Sequence, residues 1–352
     1  MSDDPITIVG AGVLGLWQSL LLARAGHRVQ LVERDATPFQ SAASQYAGAM
    51  IAPDCEAEGA PAIVKSLGHE GAALWHEHYP GLVQNGTLVV APPRDQSELR
   101  RFQRETSGHV LVDRHGLAHL EPDLADRFTA GLYFPDEAHM TTPRALSDLL
   151  KMAKSAGVDV RFGQDFETFR SNRERSAQHG TSGWVVDCRG VAARAADTSP
   201  QLSGLRGVRG ERLVLRAPGV TLNRTVRLLH PRHPLYVVPW SDDRFLVGAT
   251  VIESDDASAV TVRSALELLG LVYALHPSFG EAEILEMTAG VRPSFHDNVP
   301  AIRVDPHARY IHVNGAYRHG FLLAPVLARS VLRFLAGADP SKLALLSVAA
   351  DA

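Results

Sequence analysis

Three glycines and one acid near the N-terminus carry the first chemistry. Gly10, Gly12 and Gly15 are spaced G-x-G-x-x-G in GAGVLG, and Glu33 closes the next apolar run. In that pattern the first glycine permits a tight turn. The second lets backbone approach a pyrophosphate held at a helix N-terminus, and the third lets helix and strand pack closely. Glu33 can accept hydrogen bonds from ribose hydroxyls. Together they point to an ADP-containing dinucleotide, and they leave NAD and FAD open. A second group lies at the other end of the chain. NGAYRHGFLLAP, residues 314–325, sets Tyr317, Arg318 and His319 between two glycines at the mouth of an apolar helix. Upstream, Arg292 precedes Pro293 in GVRP, and Tyr236 alternates with apolar residues in PLYVVP. Taken singly, these are an ion-pair residue and a strand aromatic. Taken together, two arginines near apolar elements need anionic partners.

The elements that position these residues follow from periodicity. Ile6–Val9 reads as a buried parallel strand, Val13 to Ala25 as an apolar helix closed by Gly26, and Val29–Val32 as a second strand. Residues 38–53, PFQSAASQYAGAMIAP, are small and polar and suit a loop lying along an extended ligand. Residues 86–91 and 131–140 read as strands, and 95–105 as a polar helix. Thr142 as N-cap and Pro143 at the first helical position start a helix that stops at Gly157. Strands at 158–162 and 184–187 return the chain to the first domain. Runs at 209–216, 226–229, 235–239 and 244–251 suggest an antiparallel sheet, with a helix over 258–275. Strand 310–313 and a helix from about 320 to 336 close the chain.

The expected fold class is α/β, in two domains: a Rossmann-like nucleotide domain and an antiparallel-sheet substrate domain. The nucleotide domain is discontinuous, over 1–85, 140–205 and 290–352. The substrate domain takes 86–139 and 206–289.

With 352 residues, 45% apolar and 21% charged, the chain has the composition of an ordinary globular protein. A net charge of −4 offers no footprint for nucleic acid or an anionic membrane. Apolar runs fall short of the roughly 20 residues of a membrane span. The start, MSDDPITIVG, has acids where a secretory signal needs bases. A cytoplasmic protein is expected. Two distant cysteines, Cys55 and Cys188, make neither a disulfide framework nor a metal site. The histidines between His69 and His78, and His296-Asp297, lack metal-ligand spacing, so no metal is expected. His230, Pro231, Arg232 and His233 read as a solvated polar loop, and His319 as structural.

Several blocks together resemble a known family. VGAGVLG…VERD, AASQYAGAM, PLYVVPWSDDRFLVGAT at 234–250, TAGVRPSFHDNVPAI at 288–302 and NGAYRHGFLLAP are similar to the D-amino acid oxidase-like FAD-dependent oxidoreductases. Within them they resemble the glycine oxidases of thiamine biosynthesis. The resemblance spans nearly the whole chain. It implies FAD bound at Gly10, Gly12, Val13, Leu14, Gly15, Glu33 and Arg34. It adds Ala42, Ala43, Ser44, Ala47, Gly48, Ala49 and Met50 from the small-residue loop, and Phe166 near the adenosine half. Gly190 follows Arg189 at a position where the family pattern has a small residue before the glycine. Gly315, Ala316, Tyr317, Arg318, His319, Gly320, Phe321 and Leu322 would wrap the isoalloxazine end. Arg292 would bind a substrate carboxylate, Arg318 would be a second substrate arginine, and Tyr236 would add a hydroxyl to the same carboxylate. No cysteine follows Cys188, so FAD would be non-covalent.

The implied chemistry asks little of the protein. Flavin N5 takes a hydride from the α-carbon of an amino acid whose amine is neutral, and the protein holds that C–H bond in place. A guanidinium suits the clamp because it is planar, permanently charged and bidentate towards carboxylate. A helix N-terminus, here after Gly320, favours the negative charge of reduction. Oxygen as acceptor would give hydrogen peroxide and an imine that hydrolyses to glyoxylate or feeds thiazole formation. The substrate would be glycine or another small amino acid, and the assembly a homo-oligomer. D-amino acid dehydrogenases, sarcosine or other amine oxidases, and a nicotinamide-dependent oxidoreductase are the alternative readings.

Overall fold

The computed structural model describes residues 4–171, 183–196, 200–231, 234–248 and 250–349. Arg232 and His233 of the polar loop, and Ala249 of the 234–250 block, lie outside the described residues. The chain divides into two compact units. The first comprises Met1–Ala47, Thr142–Gly207 and Arg292–Ala352, and the second Gly48–Thr141 and Val208–Val291.

The first unit is built on a seven-stranded sheet in the order Leu346–Val348, Ala301–Asp305, Tyr310–Asn314, Val185–Asp187, Ile6–Val9, Val29–Val32, Asp159–Arg161. Every neighbouring pair is parallel except Ala301–Asp305 with Tyr310–Asn314. The helix Val13–Arg24 is apolar on all sides and is buried accordingly, with Leu16, Trp17, Leu20 and Leu22 fully covered. It packs against the helices Thr142–Ser155 and Gly320–Leu335. Gly26, at φ +87, supplies the left-handed residue that ends the first helix.

The second unit holds an eight-stranded sheet in the order Glu283–Ser294, Arg206–Arg216, Arg244–Gly248, Leu235–Pro239, Thr225–Leu228, Thr87–Val90, Ala130–Phe134, Val110–Asp113. It is not wholly antiparallel. Thr225–Leu228 runs parallel to Thr87–Val90, because these strands come from distant parts of the chain with no hairpin between them. Strand alternation sends Leu88 and Val90 to one core with Leu268, Val272 and Leu275 of the helix Val262–Leu275. Val89 faces a second core with Leu99 and Phe102 of the helix Gln96–Glu105.

Several boundaries differ from expectation. Residues 48–85 belong to the second unit, not the first. Met50–Ile51 pairs antiparallel with Ala138–His139, Val83 bridges His139, and Glu137 Oε1 accepts the amides of Asp54 and Cys55. The remaining boundaries fall at Thr142, Gly207 and Arg292. The 131–140 run is two strands, Ala130–Phe134 and Ala138–His139, broken by a turn. Thr142 is already helical, and its hydroxyl donates to the Ala47 carbonyl at 2.6 Å. The 258–275 helix begins at Val262, where Thr261 caps the Ser264 amide. The strand expected over 244–251 stops at Gly248.

Candidate functional site

The glycine loop leaves the Ile6–Val9 strand at its carboxyl end. Gly10 has φ +99, and a Cβ there would lie 2.9 Å from the Cys188 carbonyl oxygen and 3.2 Å from Arg189 Cα. A Cβ on Gly15 would lie 1.8 Å from the Gly10 carbonyl oxygen. The first glycine therefore permits the turn and the third permits helix-on-strand contact, as the spacing requires. Gly12 is the N-cap of the Val13–Arg24 helix and offers it no side chain. Ser44 Oγ accepts from the Val13 amide at 3.0 Å, which fixes the small-residue loop to the helix start.

Glu33 ends the second strand as expected. Its Oε2 accepts the Ala11 amide at 2.7 Å, and its Oε1 accepts the Asp35 amide at 3.1 Å. The carboxylate therefore faces the glycine loop. Arg34 donates to Ser41 Oγ at 3.0 Å from an exposed position. The segment leading to Phe166 is clipped to the same strand end, Gln164 N donating to Glu33 O at 2.9 Å and Gly163 N to Asp35 O at 3.0 Å.

Arg189 folds back on its neighbour. Its Nε and Nη2 donate to the two oxygens of Asp187, at 2.9 and 2.6 Å, and its guanidinium carbon lies 3.4 Å from the centre of the Phe166 ring. Asp187 is fully buried. Burial alone would raise its carboxyl, but the nearby His312 and the Arg189 guanidinium outweigh it and hold Asp187 well below the usual carboxylate range. The Tyr310 hydroxyl donates to Asp187 Oδ2 at 3.1 Å.

Around the late strand the geometry is equally tight. Gly315 has φ +77, and the Phe295 ring stands where a side chain would go: a Cβ there would lie 2.2 Å from the ring. Asn314 ties the loop together, its Nδ2 donating to Gly190 O at 2.9 Å and its Oδ1 accepting the Gly315 amide at 2.8 Å. Ser294 bridges Ala316 antiparallel; Arg292 lies two residues before Ser294 on the strand Glu283–Ser294, and Arg318 two residues after Ala316 in a 3-10 turn. Both arginines are half-buried. Tyr317 has φ +49, a left-handed conformation uncommon for a side chain of its size. The short 3-10 turn Tyr317–His319 then enters the helix Gly320–Leu335, whose N-cap side chain makes no capping bond. His319 is 3% exposed and sits edge-on to Tyr317. A Cβ on Gly320 would lie 3.8 Å from Val13 Cγ1, so the starts of the first and last helices stand side by side. Phe321 and Leu322 are buried.

These residues fit a dinucleotide. Two helix N-termini, neither capped by its own N-cap side chain, lie next to a loop whose glycines leave backbone bare and to an acid at the second strand end.

Gly48, Ala49, Met50 and Tyr236 lie in the second unit. Tyr236 stands opposite Gly248 in the sheet. A Cβ on Gly248 would lie 2.8 Å from the Tyr236 hydroxyl oxygen, and one on Gly48 would lie 2.9 Å from its ring. Two glycines therefore cradle the tyrosine, a role for Gly48 that spacing gave no sign of. Ala49 has φ +49, and its carbonyl accepts the Met140 amide. Ile51 is buried, whereas Val251 is exposed. In this unit burial pushes the Glu137 carboxyl up to about 8, and desolvation pushes His139 down to about 4. Burial also raises the thiols of Cys55 and, in the first unit, Cys188, which disfavours reactive thiolates. Sequence reasoning singled out neither Asp187 nor Glu137. Asp187 ends a strand and Glu137 lies in the turn between two, and only their buried surroundings set them apart.

Comparison with known proteins bears on what the geometry holds. A family model described as FAD dependent oxidoreductase, DAO, matches residues 5–333. A Rhizobium etli protein named as a thiamine biosynthesis oxidoreductase, ThiO, is 48% identical over 331 residues, covering 94% of this chain and 96% of its own. The glycine oxidase of Geobacillus kaustophilus is 29% identical over 342 residues, covering 91% of this chain and 90% of its own. The crystal structure of glycine oxidase from Geobacillus kaustophilus shares the fold at a TM-score of 0.77 and 23% identity, over 97% of this chain and 98% of that one.

Proposed function

The chain belongs to the D-amino acid oxidase-type family of FAD-dependent oxidoreductases, and from that premise we propose that it is a glycine oxidase. The reaction is glycine, oxygen and water to glyoxylate, ammonia and hydrogen peroxide, with other small amino acids or amines as further substrates. The observation that carries the reading is the Ser294–Ala316 bridge, which ties the strand bearing Arg292 to the segment that runs through Arg318 into the helix Gly320–Leu335.

FAD, when bound, would supply a hydride acceptor for the substrate α-carbon and a route for the electrons to oxygen. The glycine loop and Glu33 hold its nucleotide end, and no cysteine follows Cys188 to attach it covalently. Arg292 binds the substrate carboxylate through a planar pair of N–H donors and so fixes where the α-carbon points. Arg318 adds a second positive charge. Tyr236 supplies a substrate-binding hydroxyl, its ring held by Gly48 and Gly248. The dipole of the Gly320–Leu335 helix would favour negative charge developing near its N-terminus. The imine product hydrolyses to glyoxylate or goes to thiazole formation, a fate supported by the name of the 48% identical relative.

Among the described residues no helix is long and apolar enough to cross a membrane. Exposed Val262, Leu266, Ile284 and Leu285 support a homo-oligomer.

The test is anaerobic. Glycine added to the yellow protein should bleach the flavin, and oxygen should restore it with one peroxide per imine. No bleaching by glycine, sarcosine or small D-amino acids would sink the reading. Bleaching with almost no peroxide would move it to a D-amino acid dehydrogenase.

A further inference from the structure

We infer that Arg189 is a cofactor-positioning residue that acts on the adenosine half of FAD, through a flat stack on Phe166 locked by Asp187. In a dinucleotide-binding βαβ unit the pyrophosphate sits on the first helix N-terminus, and the acid at the second strand end marks the ribose. The nucleoside therefore lies on the Glu33 side of the loop. The strand next to Val29–Val32 is Asp159–Arg161, and the segment that follows it carries Phe166.

The contacts around this place form a closed circuit. Ala11 N donates to Glu33 Oε2, and Gln164 N donates to Glu33 O. Two residues on, the Phe166 ring meets the Arg189 guanidinium at 3.4 Å. Arg189 Cα stands against Gly10, where a Cβ would come within 3.2 Å of it. The circuit thus returns to the loop where it began. It encloses the carboxyl ends of Ile6–Val9, Val29–Val32 and Val185–Asp187, which are adjacent and parallel. A ligand of an open parallel sheet belongs at those ends.

Asp187 makes the stack rigid. It takes both Nε and Nη2 of Arg189, and its Oδ1 also accepts the Arg189 amide at 3.1 Å. The Arg189 side chain is 8% exposed. Its charge is met by Asp187, so the stack acts through its plane and anchoring rather than as a free cation. Lysine cannot reproduce this, because an ammonium has neither the plane nor the two-pronged geometry.

The test uses the full chain with its flavin removed and titrates back FAD and, separately, FMN, following flavin fluorescence. Arg189→Lys should raise the FAD dissociation constant about tenfold, the loss of a stacked and bidentate contact. FMN, which lacks the adenosine half, should bind as it does to the unaltered chain. Unchanged FAD affinity in Arg189→Lys overturns the proposal. Equal weakening of FAD and FMN also overturns it, since that marks a general structural role. Phe166→Leu removes the ring from a half-buried position without touching the buried Asp187, and should weaken FAD selectively in the same way. If it does not, the stack is not what holds the adenosine half.

Discussion

Arg292 and Arg318 each lie two residues along the chain from one antiparallel bridge. Ser294 pairs with Ala316, which ties the strand that carries Arg292 to the turn that carries Arg318. Segments distant in sequence thus meet on one unit. Arg292→Ala should raise the KM for glycine about 100-fold, the scale for removing one partner of a charged, hydrogen-bonded pair. Arg318→Ala should raise it about tenfold and leave the bound flavin absorbance intact. Unchanged KM in both would reduce the arginines to structural ion-pair residues.

Tyr236 depends on two absent side chains. Tyr236→Phe should raise the KM for glycine by up to about tenfold, the worth of one hydrogen bond to a charged group. Gly248→Ala should do at least as much while keeping the hydroxyl, because its methyl would stand 2.8 Å from the Tyr236 oxygen and displace the ring. Steady-state kinetics of the two variants side by side decides the matter.

Gly15 tolerates nothing larger than hydrogen. Its Cβ would stand 1.8 Å from the Gly10 carbonyl oxygen, so Gly15→Ala must push the helix off the strand. The expected product is colourless after purification and does not recover flavin absorbance on adding FAD.

Glu137 gives the stability a pH dependence with a definite sign. Its carboxyl is pushed up to about 8 chiefly by burial, whereas in the unfolded chain it titrates near its ordinary value of about 4.3. Between those values the unfolded state has lost the proton and the folded state has kept it, so stability falls as pH rises through the window. Glu137→Gln keeps an oxygen for the amides of Asp54 and Cys55 and removes the titration. Its melting temperature should gain on that of the unaltered chain from pH 5 towards pH 8. Parallel melting curves across that range would refute the assignment.

Local pattern carried the first strand, the first helix and the second strand almost to the residue, because glycines, an acid and apolar periodicity all act within about 30 residues there. It also carried the strand Tyr310–Asn314 and the helix Gly320–Leu335, but not the edge strand Leu346–Val348. It missed the parallel contact of Thr225–Leu228 with Thr87–Val90, and the membership of residues 48–85, because both are set by partners far along the chain. NAD and FAD were indistinguishable from the glycines alone, and the family match over 5–333 decides for FAD. Arg189 looked like a departure from a pattern of small residues. Its meaning appears only when Phe166 and Asp187 are brought beside it.

The neighbouring starts of the Val13–Arg24 and Gly320–Leu335 helices have a consequence for how the molecule is made. About 300 residues of chain separate the glycine loop from the helix that faces it, so the loop is made long before its neighbour. Tyr310–Asn314, which leads into that helix, joins the sheet on the far side of Val185–Asp187 from the loop's own strand. The nucleotide site is therefore a clasp whose two halves are synthesised far apart in time, and it closes only once the later half has emerged.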